Sequence, residues 1–299
     1  MTSQLEMAYD HCQRVAREQA KNFYYAFRTL PHLKRRAIYA TYAFCRLCDD
    51  IADEDAPMEE KRRQFSETRD LLTESLGRKG DQVIDGTLPP EFAALSDATA
   101  AFGIPHHYYT EVIEGVEQDL VKTRFENFDE LKAYCYQVAS VVGLICIEVF
   151  GYEDEAARKY AIDMGIAMQL TNILRDIKED AERDRIYIPQ DEMARFGYSE
   201  EDLKQGVINE PFRKLMALQV NRARDFYKDS QNLFPLLNPE SRACPKVLHA
   251  AYRAILDRIH DSGYDVFSQR IGLSKFEKLF ITGRLWAGSL IPSVPILRR

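Results

Sequence analysis

The sequence predicts an all-α protein, and three observations carry that expectation. Apolar positions recur at helical rather than alternating spacing along nearly the whole chain. The 14 glycines and 12 prolines, about 9% of 299 residues, fall below the usual roughly 12% and supply too few turns for a sandwich of many short strands. No GxGxxG follows a strand-like run, which argues against a dinucleotide-binding α/β domain. Apolar residues make up 45% of the chain, enough for a large core, and neither a repeat nor a long polar linker divides it. Although 299 residues allow two domains at ~150 residues each, we read residues 1–299 as one large helical bundle whose interior helices enclose a ligand.

The first well-marked helix covers about residues 32–54. Pro31 stands near its start, Pro57 lies just past its end, and residues 37–53 contain no Gly or Pro. Tyr39, Tyr42, Arg46, Asp49 and Asp53 follow one another at steps of 3, 4, 3 and 4, and so share one face. Further helices are expected at about 57–76, 89–102, 105–121, 128–150, 153–182, 209–234, 239–268 and 272–289. Breaks are expected at residues 77–80 and 103–105, at Gly151 and Gly197, at Asn238-Pro239 and at Gly263. Asp129 and Asp154 are candidate N-caps. Residues 185–189 alternate over too short a span for a sheet and read as a loop or a single extended segment.

Charge and cysteine usage narrow the class. Forty Lys+Arg against 47 Asp+Glu leave a net charge of −7 with no basic stripe, which argues against a nucleic-acid partner. Six cysteines are too sparse for a disulfide framework. Cys45 and Cys48 have CxxC spacing, but no second pair and no nearby His accompany them, so they read as helix-face cysteines. No signal-peptide pattern opens the chain, and the longest apolar run, 138–150, is short and contains Glu148. The expectation is a reduced, cytoplasmic protein. Residues 279–297 are largely apolar with Arg284 as the one charged residue, and Arg298-Arg299 follow. They read as a docked final helix with a tail punctuated by Pro292 and Pro295, or as a segment lying on a membrane surface.

A second polar stripe joins the first. Gln169, Asn172, Asp176 and Asp180 fall at steps of 3, 4 and 4, while Ile173, Leu174 and Ile177 point elsewhere. Either stripe alone fits a solvated helix face. Two of them, each set among apolar and aromatic residues, fit that reading less well. Burying several unpaired carboxylates together is costly, so the arrangement demands cations. Hard Asp oxygens without neighbouring His or Cys favour Mg²⁺ over Zn²⁺, and sparse protein ligands for Mg²⁺ imply a phosphorylated substrate that completes the octahedron. Arg46, Arg175 and Arg185 flank the stripes, and Lys21 precedes an aromatic cluster. Guanidinium groups suit diphosphate oxygens, though each fits a salt bridge equally well. Phe23, Tyr24, Tyr25, Phe27, Tyr39, Tyr42 and Phe44 concentrate around the first stripe. They read as core rings, or as walls for a polyprenyl chain whose carbocation they steady without capturing it.

In their order along the chain, residues 22–27, 39–46, 49–53, 134–143, 169–180 and 185–189 resemble the squalene/phytoene synthase family of head-to-head prenyl synthases, over about residues 22–263. Within the family the chain is most similar to bacterial squalene synthases of the hopanoid type. The resemblance implies an isoprenoid-synthase bundle with a central cavity and both aspartate motifs at its mouth. It implies Asp49, Asp53, Asp176 and Asp180 as magnesium carboxylates assisted by Asn172, with Gln169 beside them. It implies Arg46, Arg175, Arg185 and Lys21 as diphosphate ligands, and Phe23, Phe27, Tyr39 and Tyr42 as walls for the prenyl chain. Tyr134 matches the family tyrosine proposed to take part in proton removal; the alternative is a hydrogen-bonded core tyrosine. Many relatives carry serines just before the first-motif Phe, where this chain has Ala20, Lys21 and Asn22, and the Asn22 amide still suits a phosphate.

The implied reaction joins two prenyl diphosphates through a cyclopropyl intermediate. Quenching of the final cation decides the product: hydride from NADPH gives squalene, proton loss gives dehydrosqualene or phytoene, and water gives a C30 alcohol. Stopping early gives presqualene diphosphate. Phe27 and Tyr39 are bulky at positions that lie deep in the family's pocket, which favours farnesyl diphosphate and a C30 product. Condensation of two geranylgeranyl diphosphates to phytoene is the alternative. A class I terpene cyclase fits less well, because Asp-x-x-x-Asp follows Asn172 in place of an Asn/Ser/Glu triad. A non-catalytic adaptor on the same fold would have eroded carboxylates, and all four stand here.

Overall fold

A computed structural model describes residues 4–20, 23–78 and 86–290. Lys21, Asn22, part of the 77–80 break, and the tail with Pro292 and Pro295 lie outside the described residues. Among the described residues the chain is helical, and extended pairing is limited to two isolated bridges, Arg124 with Ile186 and Tyr152 with Leu237. The short 185–189 piece is thus a single extended segment, as expected.

Helix α1 (Gln4–Gln19) precedes every helix anticipated from the sequence. Its buried positions are Ala8, Tyr9, Cys12 and Ala16, mostly small side chains that give a weak apolar signal. It packs on α3 (His32–Asp53) and α5 (Pro90–Phe102), and the Tyr9 hydroxyl donates to Asp97 at 2.7 Å. The short α2 (Tyr24–Phe27) leads into α3, which runs unbroken for 22 residues between Pro31 and Glu54. Helices α4 (Met58–Gly77) and α6 (His106–Gln118) complete this half, each starting directly after a proline. Gly103 closes α5 at φ +64°, a left-handed conformation that glycine adopts without penalty.

Next come α7 (Phe128–Cys135), a π-helical turn (Tyr136–Ser140) and α8 (Val141–Phe150). The N-cap of α7 is Asn127, whose side chain accepts the Glu130 N–H at 3.1 Å; the expected cap, Asp129, already lies in the first helical turn. Together these pieces make a 23-residue helical run with a window of mean hydropathy 1.7, longer than residues 138–150 alone implied. By length and composition it could cross a membrane, but half of that window is buried, against α6 and α9 (Ala156–Arg175). A Cβ on Gly165 of α9 would sit 2.5 Å from the Ser140 Cα, and one on Gly115 of α6 would sit 2.8 Å from the Gln137 Cβ. The two glycines let both neighbours close on the π turn that follows Tyr134 and Cys135.

The expected 153–182 helix is two helices. The N-cap is Glu155; the expected cap, Asp154, stands one residue earlier, where its side chain accepts the Ala156 N–H at 2.8 Å. At Asp176 the backbone leaves helical geometry (φ −102°, ψ 13°), and α10 (Ile177–Glu182) begins. The Asp176 N–H still reaches the Asn172 carbonyl and the Asp180 N–H the Asp176 carbonyl, both at 2.9 Å, so the polar stripe keeps one face across the break. Short helices α11 (Gln190–Phe196) and α12 (Glu200–Lys204) flank Gly197. Helix α13 (Glu210–Ser230) is capped by Asn209 and gives way to a 3₁₀ turn (Gln231–Leu236) that contains Pro235, so it stops short of the expected 234. Helix α14 (Ala243–Asp261) is also shorter than the expected 239–268, because a 3₁₀ turn over Pro239–Ser241 precedes it and Gly263 at φ +67° follows. Helix α15 (Lys275–Leu290) ends the described chain.

The core has two parts. One gathers α1, α3, α5, α6 and α8; the other gathers the C-terminal half of α9 with α13 and α14. Phe23, Ile162 and Met168 pack against both. Helix α3 brings the first aspartate motif to this seam and α9–α10 bring the second.

Candidate active site

Ile173, Leu174 and Ile177 are buried in the second core, which turns Asn172, Asp176 and Asp180 out of it. On α3, Cys48, Ile51 and Ala52 are buried and turn Asp49 and Asp53 the other way. The motifs meet through Asp53, which accepts from Arg183 at 3.0 Å and from Arg185 at 3.3 Å, both on the segment that follows Asp180. Asp53 of the first stripe thus lies within reach of the segment that follows the second.

Electrostatics separates the four carboxylates. Asp49 is accessible to water, yet burial lifts its carboxyl to about 7, with Asp53 and Asp119 adding to the rise and Arg46 opposing it. Cys45 and Cys146 behave alike, each keeping some accessible surface while burial raises its thiol, Cys146 to about 12. Burial also lifts Asp180 to about 7, helped by the charges of Asp176 and Asp119. Asp176 is held below the usual carboxylate range: burial pushes it up, but Arg175 and Arg270 outweigh that. The Arg175 Nε donates to Asp176 at 2.9 Å, and Arg270 lies 2.9 Å from the same carboxylate and 3.5 Å from Glu179.

Polar groups around the stripes are incompletely satisfied. The Asn172 amide donates to Gln169 at 3.3 Å, whereas its buried Oδ1 has no hydrogen-bond partner. Arg46 pairs with Asp50 one turn on, and its buried Nε also lacks a partner. Among the described residues no three His, Cys, Asp or Glu side chains are gathered closely enough to hold an ion by themselves. Mg²⁺ commonly takes one or two carboxylates and draws its other oxygens from phosphate and water. An orphaned amide oxygen beside repelling carboxylates fits that donor set.

Aromatic rings line the approach. Phe23 lies 6.0 Å from Phe27, 6.3 Å from Tyr42 and 5.6 Å from Tyr252 of α14. Tyr39 packs on Tyr24 and Phe27, each at 6.1 Å. Phe27 and Tyr39 are only 5% and 2% exposed, so they sit inside the ring cluster, whereas Phe23 and Tyr42 keep accessible surface. Two clefts flank the motifs. One of about 770 Å³ runs past Arg46, Asp53 and Arg183, and one of about 320 Å³ past Arg175, Glu179 and Arg270.

Tyr134 lies beside this mouth. Its hydroxyl donates to Asp119 at 3.1 Å, and the Tyr187 hydroxyl donates to the other Asp119 oxygen at 3.1 Å. Burial pushes the Tyr134 phenol well above its ordinary value. Sequence reasoning missed Asp119, Arg183, Arg270, Tyr187 and Tyr252. Tyr187 lay within a motif already singled out, and Arg183 stands two residues before Arg185. The other three carry no signal in their local spacing. Lys21 and Asn22 lie outside the described residues.

Comparisons with known proteins show what the chain is similar to. A family model described as squalene/phytoene synthase matches residues 16–277. The chain is 35% identical over 288 residues to the 15-cis-phytoene synthase of Synechococcus elongatus, covering 92% of this chain and 91% of that one. A solved dehydrosqualene synthase superposes with a TM-score of 0.84 at 28% identity, covering 95% of this chain and 97% of that one. The squalene synthase HpnC of Alicyclobacillus acidocaldarius superposes with a TM-score of 0.79 at 27% identity, covering 87% and 96%.

Proposed function

Because the chain belongs to the squalene/phytoene synthase family, we propose that it joins two geranylgeranyl diphosphates head to head into a C40 phytoene-type hydrocarbon. The observation that carries the reaction is the pair of aspartate motifs facing across one seam, bridged by Asp53 with Arg183 and Arg185. Two points support C20 over C15 substrates. The similarity to a phytoene synthase extends over nearly the whole chain. The bulk of Phe27 and Tyr39, which favoured farnesyl diphosphate on sequence grounds, is taken up in packing against neighbouring rings. The squalene-type structural neighbours keep farnesyl diphosphate and a C30 product as a second reading.

In this proposal Asp49, Asp53, Asp176, Asp180 and Asn172 hold the divalent metal, which supplies positive charge as the diphosphate leaves. Arg46, Arg175, Arg185, Lys21 and Asn22 bind diphosphate oxygens, joined by Arg183 and Arg270. Gln169 orients the Asn172 amide so that its free oxygen faces the site. Phe23 and Tyr42 turn ring faces to the growing cation, with Phe27 and Tyr39 behind them. Tyr134 takes part in proton removal. We treat the whole chain as one catalytic domain. Proton loss rather than hydride from NADPH ends the reaction in the phytoene reading.

The test is incubation with Mg²⁺ and either geranylgeranyl or farnesyl diphosphate, with and without NADPH, and identification of the lipid by mass. The expected result is a C40 hydrocarbon, formed roughly tenfold or more faster than any C30 product, with no need for NADPH. A C30 hydrocarbon that requires NADPH would replace this reading with the second.

We also propose that the outward face of α15 rests on a lipid surface, where an oily product leaves. Phe276, Leu279, Phe280 and Trp286 are exposed at 76%, 52%, 61% and 48%, and Lys275, Lys278 and Arg284 lie on the same helix. Ile281 and Leu285, on its other side, pack against the core. Trp286 is the only tryptophan in the chain. Its fluorescence should shift to the blue on adding anionic vesicles, and Phe276→Glu with Phe280→Glu should abolish that shift. An unchanged spectrum in the parent protein would contradict this placement.

A further inference from the structure

Asp119 belongs to neither aspartate motif. It stands at the C-terminal end of α6 and accepts one phenolic O–H on each carboxylate oxygen, from Tyr134 and from Tyr187. The phenol oxygens are 3.5 Å apart, the rings stack with centroids 5.3 Å apart, and Phe125 lies 5.2 Å and 5.7 Å from them. Two donors on one carboxylate fix all three side chains in a single arrangement. Asp53 faces this cluster from the first motif and Arg185 from the segment after the second, and Asp49 and Asp180 lie within its field.

We propose that Asp119 is a positioning residue for proton removal that acts through Tyr134, holding the phenol in place and receiving its proton. The proposal rests on the head-to-head reading above. A neutral phenol that accepts a proton must hand on its own, and the Tyr134 hydroxyl already donates to Asp119. Burial raises the Asp119 carboxyl above its usual range, against Arg185 and the two phenols, which makes it a better proton acceptor than an exposed aspartate. The step balances without an oxidant or reductant. The donor's C1–O bond breaks and diphosphate departs. Its C1 bonds to C2 of the acceptor, which leaves the cation on C3. The C1–H electron pair then forms the C1–C3 bond of the cyclopropane. The released proton passes to the Tyr134 oxygen while the Tyr134 proton passes to Asp119, and from there to water after turnover.

The experiment compares Asp119→Asn, Asp119→Glu, Tyr134→Phe and Tyr187→Phe, using unlabelled prenyl diphosphate and substrate deuterated at C1, over a range of Mg²⁺ concentrations. Asp119→Asn should lower kcat on the order of 10²–10³-fold at an unchanged Mg²⁺ requirement and enlarge the isotope effect, because proton removal becomes limiting. Tyr134→Phe should show the same pattern. Asp119→Glu should recover roughly tenfold of the loss, and Tyr187→Phe should cost less than about tenfold. Should Asp119→Asn fail to fold, Asp119→Glu and Tyr134→Phe carry the same isotope-effect test. A raised Mg²⁺ requirement with an unchanged isotope effect would overturn the proposal and place Asp119 in the metal site. Turnover within about threefold of the parent would also overturn it. No turnover by the parent protein on any prenyl diphosphate would overturn the head-to-head reading itself, and this proposal with it.

Discussion

Asn in place of Asp49 or of Asp176 is expected to lower turnover on the order of 10³-fold or more while the helical circular dichroism stays unchanged. The substitution keeps shape and removes one negative charge where the account needs it. The two variants should nevertheless differ in stability. Among the described residues Asp49 has no ion-pair partner, and burial disfavours its charged form, so Asp49→Asn should leave Tm unchanged or raise it. Asp176 is gripped by Arg175 and Arg270, so Asp176→Asn takes the carboxylate partner from Arg175, leaves Arg270 only Glu179, and should lower Tm. Activity assays and thermal melts on both variants check the pair. Near-parental rates in either would remove that carboxylate from the proposed metal set.

The second large effect is on stability against pH in metal-free protein. Asp49 and Asp180 both rise from 3.8 to about 7 in the folded chain. With folded values above unfolded ones, the native state binds more protons between these limits, and stability falls as pH rises. The contribution is fully present below about pH 4 and is lost as pH climbs through about 7. Other carboxylates obey the opposite rule, so the signature is the change on substitution. Asp49→Asn should flatten the decline of Tm between about pH 5 and pH 8. An unchanged slope would contradict the burial assigned to Asp49.

Where the sequence sufficed, the signal lay within a single element. The stripe Tyr39, Tyr42, Arg46, Asp49 and Asp53 was legible because α3 runs for 22 residues without Gly or Pro and buries one side. The stripe from Gln169 to Asp180 was legible despite the break at Asp176, because the i,i+4 hydrogen bonds continue across it. The break itself was not legible. It lies where Asp176 is held by Arg175 and by Arg270, which the fold brings from the loop between α14 and α15. Asp119 was equally silent, standing near Glu114 and Glu117 on an ordinary-looking helix end. Only the fold shows it beneath two tyrosines that arrive from α7 and from the segment after α10. Helix α1 was missed because alanines and a cysteine carry most of its buried face. The choice between C15 and C20 substrates meets the same limit, since ring size at positions 27 and 39 does not tell whether a ring juts into a cavity or packs against its neighbours.

One measurement bears most directly on the shared neutralisation of the two acidic patches. Thermal melts at about pH 8 would be recorded with Mg²⁺ alone, with inorganic pyrophosphate alone, and with both. The account predicts a small shift from either component and a much larger one from the pair, lost in Asp49→Asn and in Asp176→Asn. A full shift with pyrophosphate in the presence of EDTA, or an equal shift in the two variants, would contradict it.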